Sequence, residues 1–417
     1  MLSLQSGDPV TMIQLGRKLM CVVNDPELIR EVQRDSMAFG RGGPITERFR
    51  QMFGNGLGIS EGDFHRRQRS LIQPAFHHAR IVDYAALVSA LVAAKVNSWQ
   101  DGRCLAVDKE MDDLALSVVT EVIFSAHTTM DRKQFMAATT EVLSGLFRRI
   151  TDSTGLLTRI PTSANRRYGK AEKYLRSTIH EVVAEYRASA VDRGDLLSTM
   201  LLACDDDGGQ AMTDKQLHDE VMTFFIAGSN TISNTLSWSF HELATHPDVE
   251  KKLHAEVDHV LATRPAEYED VRKLDYTRRV ISETLRLRTQ GLFLSKVTTR
   301  DTDLGGYHIP AGMSVLYSFH ALNHNPVIHP DPECFEPDRW LPDRAKAMPR
   351  GAFMPFGVGP HSCIGDQFSW VEMIISLATI AARWRLISVP GHTPRPRPAI
   401  TMPVDSLPMT AHRRDAT

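Results

Sequence analysis

Apolar positions Val10, Met12, Ile13 and Leu15, answered by Leu19 to Val23 across Gly16-Arg17-Lys18, predict a hairpin over residues 10–24. Asp25-Pro26 then opens a helix. Glycines crowd residues 37–62, which marks a long loop of the kind that carries function rather than packing. From Asp63 to about residue 262 the apolar period is helical, most clearly over 78–99, 108–125, 164–190, 213–245 and 248–262. The acidic run 205–209 is a loop between two of these segments.

Segment 213–245 would measure about 50 Å at about 1.5 Å per residue, enough to cross a whole domain. Thr213 stands at its N-cap with Gln216 in the capping-box place, and Pro247 ends it. Beyond it the pattern predicts a helix over 275–288, strands over 293–299, 303–309 and 313–318, a proline-rich coil over 325–362 and a helix over 364–384. The tail 394–413 reads as a short hairpin.

The 417 residues carry 48 basic and 50 acidic side chains, so no electrostatic footprint for nucleic acid or an anionic membrane is present. The five cysteines are far apart, with no Cys-x-x-Cys pair. That argues against a disulfide framework and a structural zinc site, and points to a reducing, cytoplasmic setting. No run of uncharged apolar residues reaches the length of a membrane span, and neither a signal peptide nor a lipidation motif is legible. Without a linker, repeat or composition shift, residues 1–417 read as one large unit, mainly α with small β-sheets.

The candidate chemistry lies in Phe356-Gly357-Val358-Gly359-Pro360-His361-Ser362-Cys363-Ile364-Gly365. Cys363 sits where a glycine-rich turn enters a helix, and N–H groups and the helix dipole at such a place favour a thiolate that can bind metal. Gly365 has no Cβ to keep a flat cofactor from the backbone.

This stretch resembles the Phe-Gly-x-Gly-x-His/Arg-x-Cys-x-Gly motif of the heme-thiolate monooxygenases, the cytochrome P-450 family. Resemblance to soluble, actinomycete-type members extends over nearly all of the chain, with a shorter front than is usual. It implies a single-domain cytochrome P-450 fold with heme b between the long central helix and the Cys-loop helix. Cys363 would be the iron ligand, with Phe356, Gly357, Gly365 and His361 beside it. Glu283-Thr284-Leu285-Arg286 matches the family's Glu-x-x-Arg pair, and Arg339, in Phe335-Glu336-Pro337-Asp338-Arg339-Trp340, would complete a bracing network.

Ala227-Gly228-Ser229-Asn230-Thr231 is similar to the family's oxygen-activation motif on the long helix. The resemblance implies a groove opened by Ala227, Gly228 and Thr231, with protons arriving through Thr231. Asn230 departs from the usual acid, and an amide can hold water but cannot ionise. His65, Arg69, Lys296 and His361 are the implied cations for the heme propionates; Lys296 stands where arginine is commoner. Arg288-Thr289-Gln290 replaces a frequent Pro-Pro turn.

Family position implies a substrate pocket at Phe225, Ile226, Leu292, Phe293, Ser406, Leu407 and the 45–58 loop, joined by Ala227 and Thr231. The set is mainly apolar, which favours a hydrophobic small molecule, a sesquiterpene-like terpenoid, over a fatty acid held by its head group. A polyketide or macrolide is the alternative substrate. The implied partners are dioxygen, ferredoxin and ferredoxin reductase. A peroxide-using or non-oxygenating heme-thiolate enzyme, and a non-enzymatic heme or ligand binder, are the competing classes.

Three other motifs read as decoys. His241-Glu242-Leu243-Ala244-Thr245-His246 has its second histidine five residues on, about 140° round a helix, so the pair cannot share one zinc. Gly54-Asn55-Gly56-Leu57-Gly58 lacks the strand and helix of a dinucleotide loop. Asp205-Asp206-Asp207-Gly208-Gly209 is a solvated acidic turn.

Overall fold

Asp25 and Pro26 illustrate how local chemistry sets the elements. In the computed structural model, strands β1 (Val10–Leu15) and β2 (Lys18–Val23) pair from Val10 opposite Val23 to Leu15 opposite Lys18. Asp25 then caps α1 (Pro26–Arg34), its carboxylate accepting the N–H groups of Glu27 and Leu28 at 2.9 and 3.0 Å. Pro26 occupies a first-turn position whose missing N–H has no helical partner to lose. The structure describes residues 8–15, 18–43, 46–47, 49–50, 54–125, 130–151, 160–189, 191–203, 211–291, 293–397 and 401–414.

β3 (Phe39–Gly40), α2 (Gly62–Ile72), α3 (His78–Ser98), β4 (Cys104–Ala106), α4 (Val107–Phe124) and α5 (Arg132–Thr151) follow. Next come α6 (Ser163–Ser189), α7 (Leu196–Leu202), α8 (Asp214–Thr245), α9 (Pro247–Leu261) and α10 (Asp275–Leu287). β5 (Leu294–Thr298), β6 (Thr302–Leu304), β7 (Tyr307–Ile309), β8 (Ser314–Tyr317), α11 (Phe319–Asn323) and α12 (Pro342–Ala347) lead to α13 (Asp366–Arg383), β9 (Trp384–Ser388) and β10 (Pro408–Arg413). The capping box of α8 forms: Gln216 Oε1 accepts the Thr213 N–H at 2.8 Å, and Thr213 Oγ1 accepts the Gln216 N–H at 3.3 Å.

The chain divides into two compact units. The first takes residues up to Gly40, Ile81–Val118 and Asn230 onward. It holds a five-stranded sheet in the order β1-β2-β8-β5-β3, with β2 and β8 parallel, a three-stranded sheet β4-β10-β9, and the pair β6-β7. Cys21, Val23, Ile29, Val32, Phe39, Val315 and Tyr317 form its sheet-side core. α13 is buried without interruption from Val371 to Ala382, with Glu372, Ser376 and Thr379 among its mainly apolar positions.

The second unit takes Arg41–Arg80 and Val119–Ser229 and is helical. Phe124, Phe135 and Phe225 cluster there with ring centroids 4.8 to 6.1 Å apart. The Tyr186 hydroxyl donates at 2.6 Å to Asp195, the N-cap of α7. α8 serves both units, changing between Ser229 and Asn230.

Three expectations shift, the first being that the proline-rich coil over 325–362 contains the short helix α12. The strand predicted over 303–309 is a hairpin, because Gly305 and Gly306 both take positive φ, 57° and 84°, and turn the chain. The tail supplies one strand: β10 pairs with β9, Met409 opposite Ser388, and Pro396 and Val404 form only an isolated bridge. β9 follows α13 with no Gly or Pro between them, so the sequence carries no mark of the change.

Candidate active site

The Cys363 loop is built from backbone bonds. Met354 carbonyl accepts the Gly357 N–H at 3.0 Å, Gly359 that of Ser362 at 3.0 Å, and Phe356 that of Cys363 at 2.9 Å. Gly357 and Gly359 have φ of 65° and 79°, a region closed to most side chains. Gln33 Oε1 accepts the Val358 N–H at 3.1 Å, anchoring the loop to α1. The Phe356 ring lies 5.7 Å from that of Trp370 on α13. Gly365 is the N-cap of α13, and Cys363, two residues before it, is exposed.

On α10, Arg286 Nε and Nη2 donate to Glu283 Oε2 and Oε1 at 2.9 and 2.8 Å. The guanidinium also donates to the carbonyls of Asn323, Pro332 and Cys334 at 2.7 to 3.1 Å. Arg339 Nε reaches Glu283 Oε1 at 3.3 Å, and Arg339 binds the Pro330 and Asp331 carbonyls. Trp340 Nε1 donates to Glu283 Oε2 at 2.9 Å, a fourth member that the sequence reading missed. Its place beside Arg339 in the motif was the only signal.

Along α8 exposed area persists at Thr223, Ile226, Ala227, Gly228, Asn230 and Thr231, while most flanking positions are buried. The spacing of three and four puts them on one stripe. An exposed alanine in the middle of a 32-residue helix is a surface that protein does not cover. Gly228 is needed for packing: a Cβ there would lie 2.8 Å from Val119 Cγ2. Ser229 Oγ donates to the Phe225 carbonyl at 2.6 Å and Thr235 Oγ1 to the Thr231 carbonyl at 2.8 Å. Ser233 Oγ donates to Asp112 at 2.9 Å.

The cations and pocket positions divide. In the first unit, Lys296 is buried on β5 opposite Val315, and His361 is half-buried in the cysteine loop. In the second, His65 is buried and Arg69 half-buried, one turn apart on α2. Phe293 is 52% exposed, and Ile226 and Ser406 are half-buried. Phe225 and Leu407 are each 1% exposed. Phe225 fills the aromatic cluster, while the Leu407 backbone pairs with Val107 and Asp108. Both side chains are packed in the interior of their own units. Leu292, much of the 45–58 loop's first half and the acidic turn 205–209 lie outside the described residues.

The zinc-like motif has another use. Arg288 binds the Glu242 carboxylate at 2.7 to 2.8 Å and stacks 4.4 Å over Trp238, and His246 Nδ1 meets the Glu242 carbonyl at 2.8 Å. No group of three His, Cys, Asp or Glu that could hold a metal occurs among the described residues. An exposed thiol just before a helix is the donor chemistry that a heme-thiolate iron requires, and Lys296 is a buried cation of the same unit.

Solved structures share this fold, and curated sequences resemble the chain along most of its length. A cytochrome P450DA heme domain superposes with a TM-score of 0.87 at 24% identity, covering 98% of this chain and 90% of that one. A cytochrome P450 (CYP102L1) gives 0.86 at 25% identity, covering 98% and 95%. Cyclooctat-9-en-7-ol 5-monooxygenase of Streptomyces melanosporofaciens is 42% identical, over 94% of this chain and 85% of its own. Cyclooctatin synthase of the same organism is 39% identical, over 99% and 90%. Pentalenene oxygenase of Streptomyces avermitilis is 36% identical, over 95% and 88%. No helix among the described residues is long and apolar enough to cross a membrane. With the Cytochrome P450 family model matching residues 4–407, the chain belongs to the cytochrome P450 family of heme-thiolate monooxygenases.

Proposed function

We propose that the chain binds heme b through Cys363 and hydroxylates a terpenoid, sesquiterpene-like in size, as one cytoplasmic domain supplied with electrons by ferredoxin and ferredoxin reductase. The exposed Cys363 thiol at the start of α13 carries this reading. The names of the relatives support the substrate class: one acts on cyclooctat-9-en-7-ol and one is a pentalenene oxygenase.

Bound there, the heme supplies dioxygen activation for insertion of one oxygen atom into a carbon–hydrogen bond. Cys363 ligates as a thiolate favoured by the α13 dipole. Lys296, His361, His65 and Arg69 compensate the propionates. Ala227 and Gly228 keep the α8 stripe free of bulk, and the Thr231 hydroxyl passes a proton along it. Asn230 holds water there without titrating. Ile226, Phe293 and Ser406 would contact the ligand, the first two through apolar surface.

Titrating the purified ferric protein with terpenes, macrolide aglycones and fatty acids tests the reading through the low-spin to high-spin shift. A saturable shift with terpenoids is expected. A shift with polyketides alone would overturn the substrate class, and a spectrum without thiolate-ligated heme would overturn the role of Cys363.

A further inference from the structure

The glycine cluster Gly54 to Gly58 takes no part in the cysteine-loop chemistry, and the second unit gives it another use. A Cβ on Gly54, whose φ is 73°, would lie 2.0 Å from Asp219 Cγ, and one on Gly56 would lie 2.3 Å from Thr223 Oγ1. Only glycine lets this loop rest directly on α8. Two neighbouring acids take its amides: Asp219 Oδ2 accepts the Asn55 N–H at 3.0 Å, and Glu220 Oε2 accepts the Leu57 N–H at 2.9 Å. From α2, Gln68 Nε2 donates to the Asn55 carbonyl at 3.2 Å.

The two acids differ. Asp219 has Lys215 at 3.2 Å and His218 at 3.5 Å, and its carboxyl is held below the ordinary range despite its burial. Glu220 is fully buried, and burial, reinforced by the Asp219 charge, pushes its carboxyl up to about 8 against the single bond from Leu57. Its second oxygen, Oε1, has no partner among the described residues; nor do Gln68 Oε1 and Ser60 Oγ, also fully buried. A carboxylate oxygen can only accept, so ionised Glu220 leaves Oε1 buried without a donor. A carboxylic acid brings the missing donor.

Charged and titratable groups around the cluster are few. Asp219, His218, Lys215 and Asp214 come from α8, and Arg176 and His180 line the adjoining groove from α6. Arg50 and Glu61 stand at the loop's edge. Of these, Asp219 is the one whose charge acts on Glu220.

We propose that Glu220 is a pH-sensitive latch: as a neutral acid it fastens the 54–60 loop to α8, and as a carboxylate beside ionised Asp219 it releases it. Residues 54–58 fall in the loop that family position assigns to the substrate pocket, and if the proposed function holds, the latch sets substrate access.

Hydrogen exchange of the 54–60 peptide in the holoenzyme, corrected for intrinsic rates, is compared at pH 7 and pH 9 for wild type and Glu220→Gln. Wild type is expected to lose about tenfold in protection, the fall in the neutral population over the two pH units that straddle the midpoint. Glu220→Gln, which keeps a donor and an acceptor, should hold its protection. Equal protection at both pH values in wild type, or a parallel loss in the variant, would overturn the latch. Should the variant not fold, the wild-type titration decides: a midpoint near 8 supports the latch and a flat profile sinks it. Loop release with unchanged terpenoid affinity upholds the latch and overturns the placing of the loop in the pocket wall.

Discussion

Arg286 holds Glu283 through two nearly parallel bonds of 2.9 and 2.8 Å, with both side chains fully buried. Charge removed from water survives only where every donor and acceptor is matched. Three carbonyls, Arg339 and Trp340 complete that matching. Arg286→Lys cannot reproduce the fork. It is expected to cost about 3–5 kcal/mol, the range for breaking a buried pair, read as a lowered denaturant midpoint. An unchanged midpoint would mean the network is not bracing the fold.

Gly359 and Gly102 share a positive φ, 79° and 71°, but not surroundings. A Cβ at Gly359 would sit 2.8 Å from Arg34 Cα and from the Gln33 carbonyl oxygen, both backbone, whereas Gly102 has open space. Gly102→Ala should cost about 1–2 kcal/mol, the left-handed strain alone. Gly359→Ala should cost about 1–3 kcal/mol more, for overpacking that shifts α1 against the cysteine loop. Equal losses in chemical denaturation would remove the packing argument.

Much of this was legible before any coordinates. The α8 span could be read because Thr213, Gln216 and Pro247 punctuate a sustained helical period. The Cys363 loop could be read because glycines, proline and cysteine at fixed spacing leave few alternatives. Contacts between distant segments could not. Nothing in Gly54 to Gly58 names Asp219 and Glu220 as its seat, since more than 160 residues separate them. Apolarity alone also could not tell Phe225 and Leu407, which fill cores, from Phe293, which stays exposed.

Thr231 and Asn230 lie on the uncovered stripe of α8, and of the two only the hydroxyl is suited to passing a proton. Thr231→Val keeps the shape and removes the donor. Product formation is expected to fall about 10²-fold, the lower end of what a positioned proton donor contributes, while dioxygen consumption continues and peroxide accumulates. Asn230→Asp should make coupling depend on pH, since it adds a titrating group. Unaltered product per dioxygen in Thr231→Val would remove the hydroxyl from the proton path.

His329 gives the fold an acid limb. It is fully buried, its Nε2 lies 3.3 Å from the Ala352 carbonyl and its Nδ1 has no partner among the described residues. Burial, reinforced by the Arg286 and Arg339 charges, pushes the imidazole down from 6.5 to about 4. Between those values the unfolded chain binds the proton and the native one does not, so stability falls as pH drops from about 6.5 towards 4. A shift of this size corresponds to about 3 kcal/mol when complete. His254 and His320, each also lowered to about 4, act in the same direction. Urea unfolding at pH 7, 5.5 and 4.5 should therefore show a steep loss in wild type. His329→Gln, which can keep a donor for Ala352 but cannot take up the proton, should be less stable at pH 7 and lose less on acidification. Parallel losses in the two proteins would show that His329 does not titrate with unfolding.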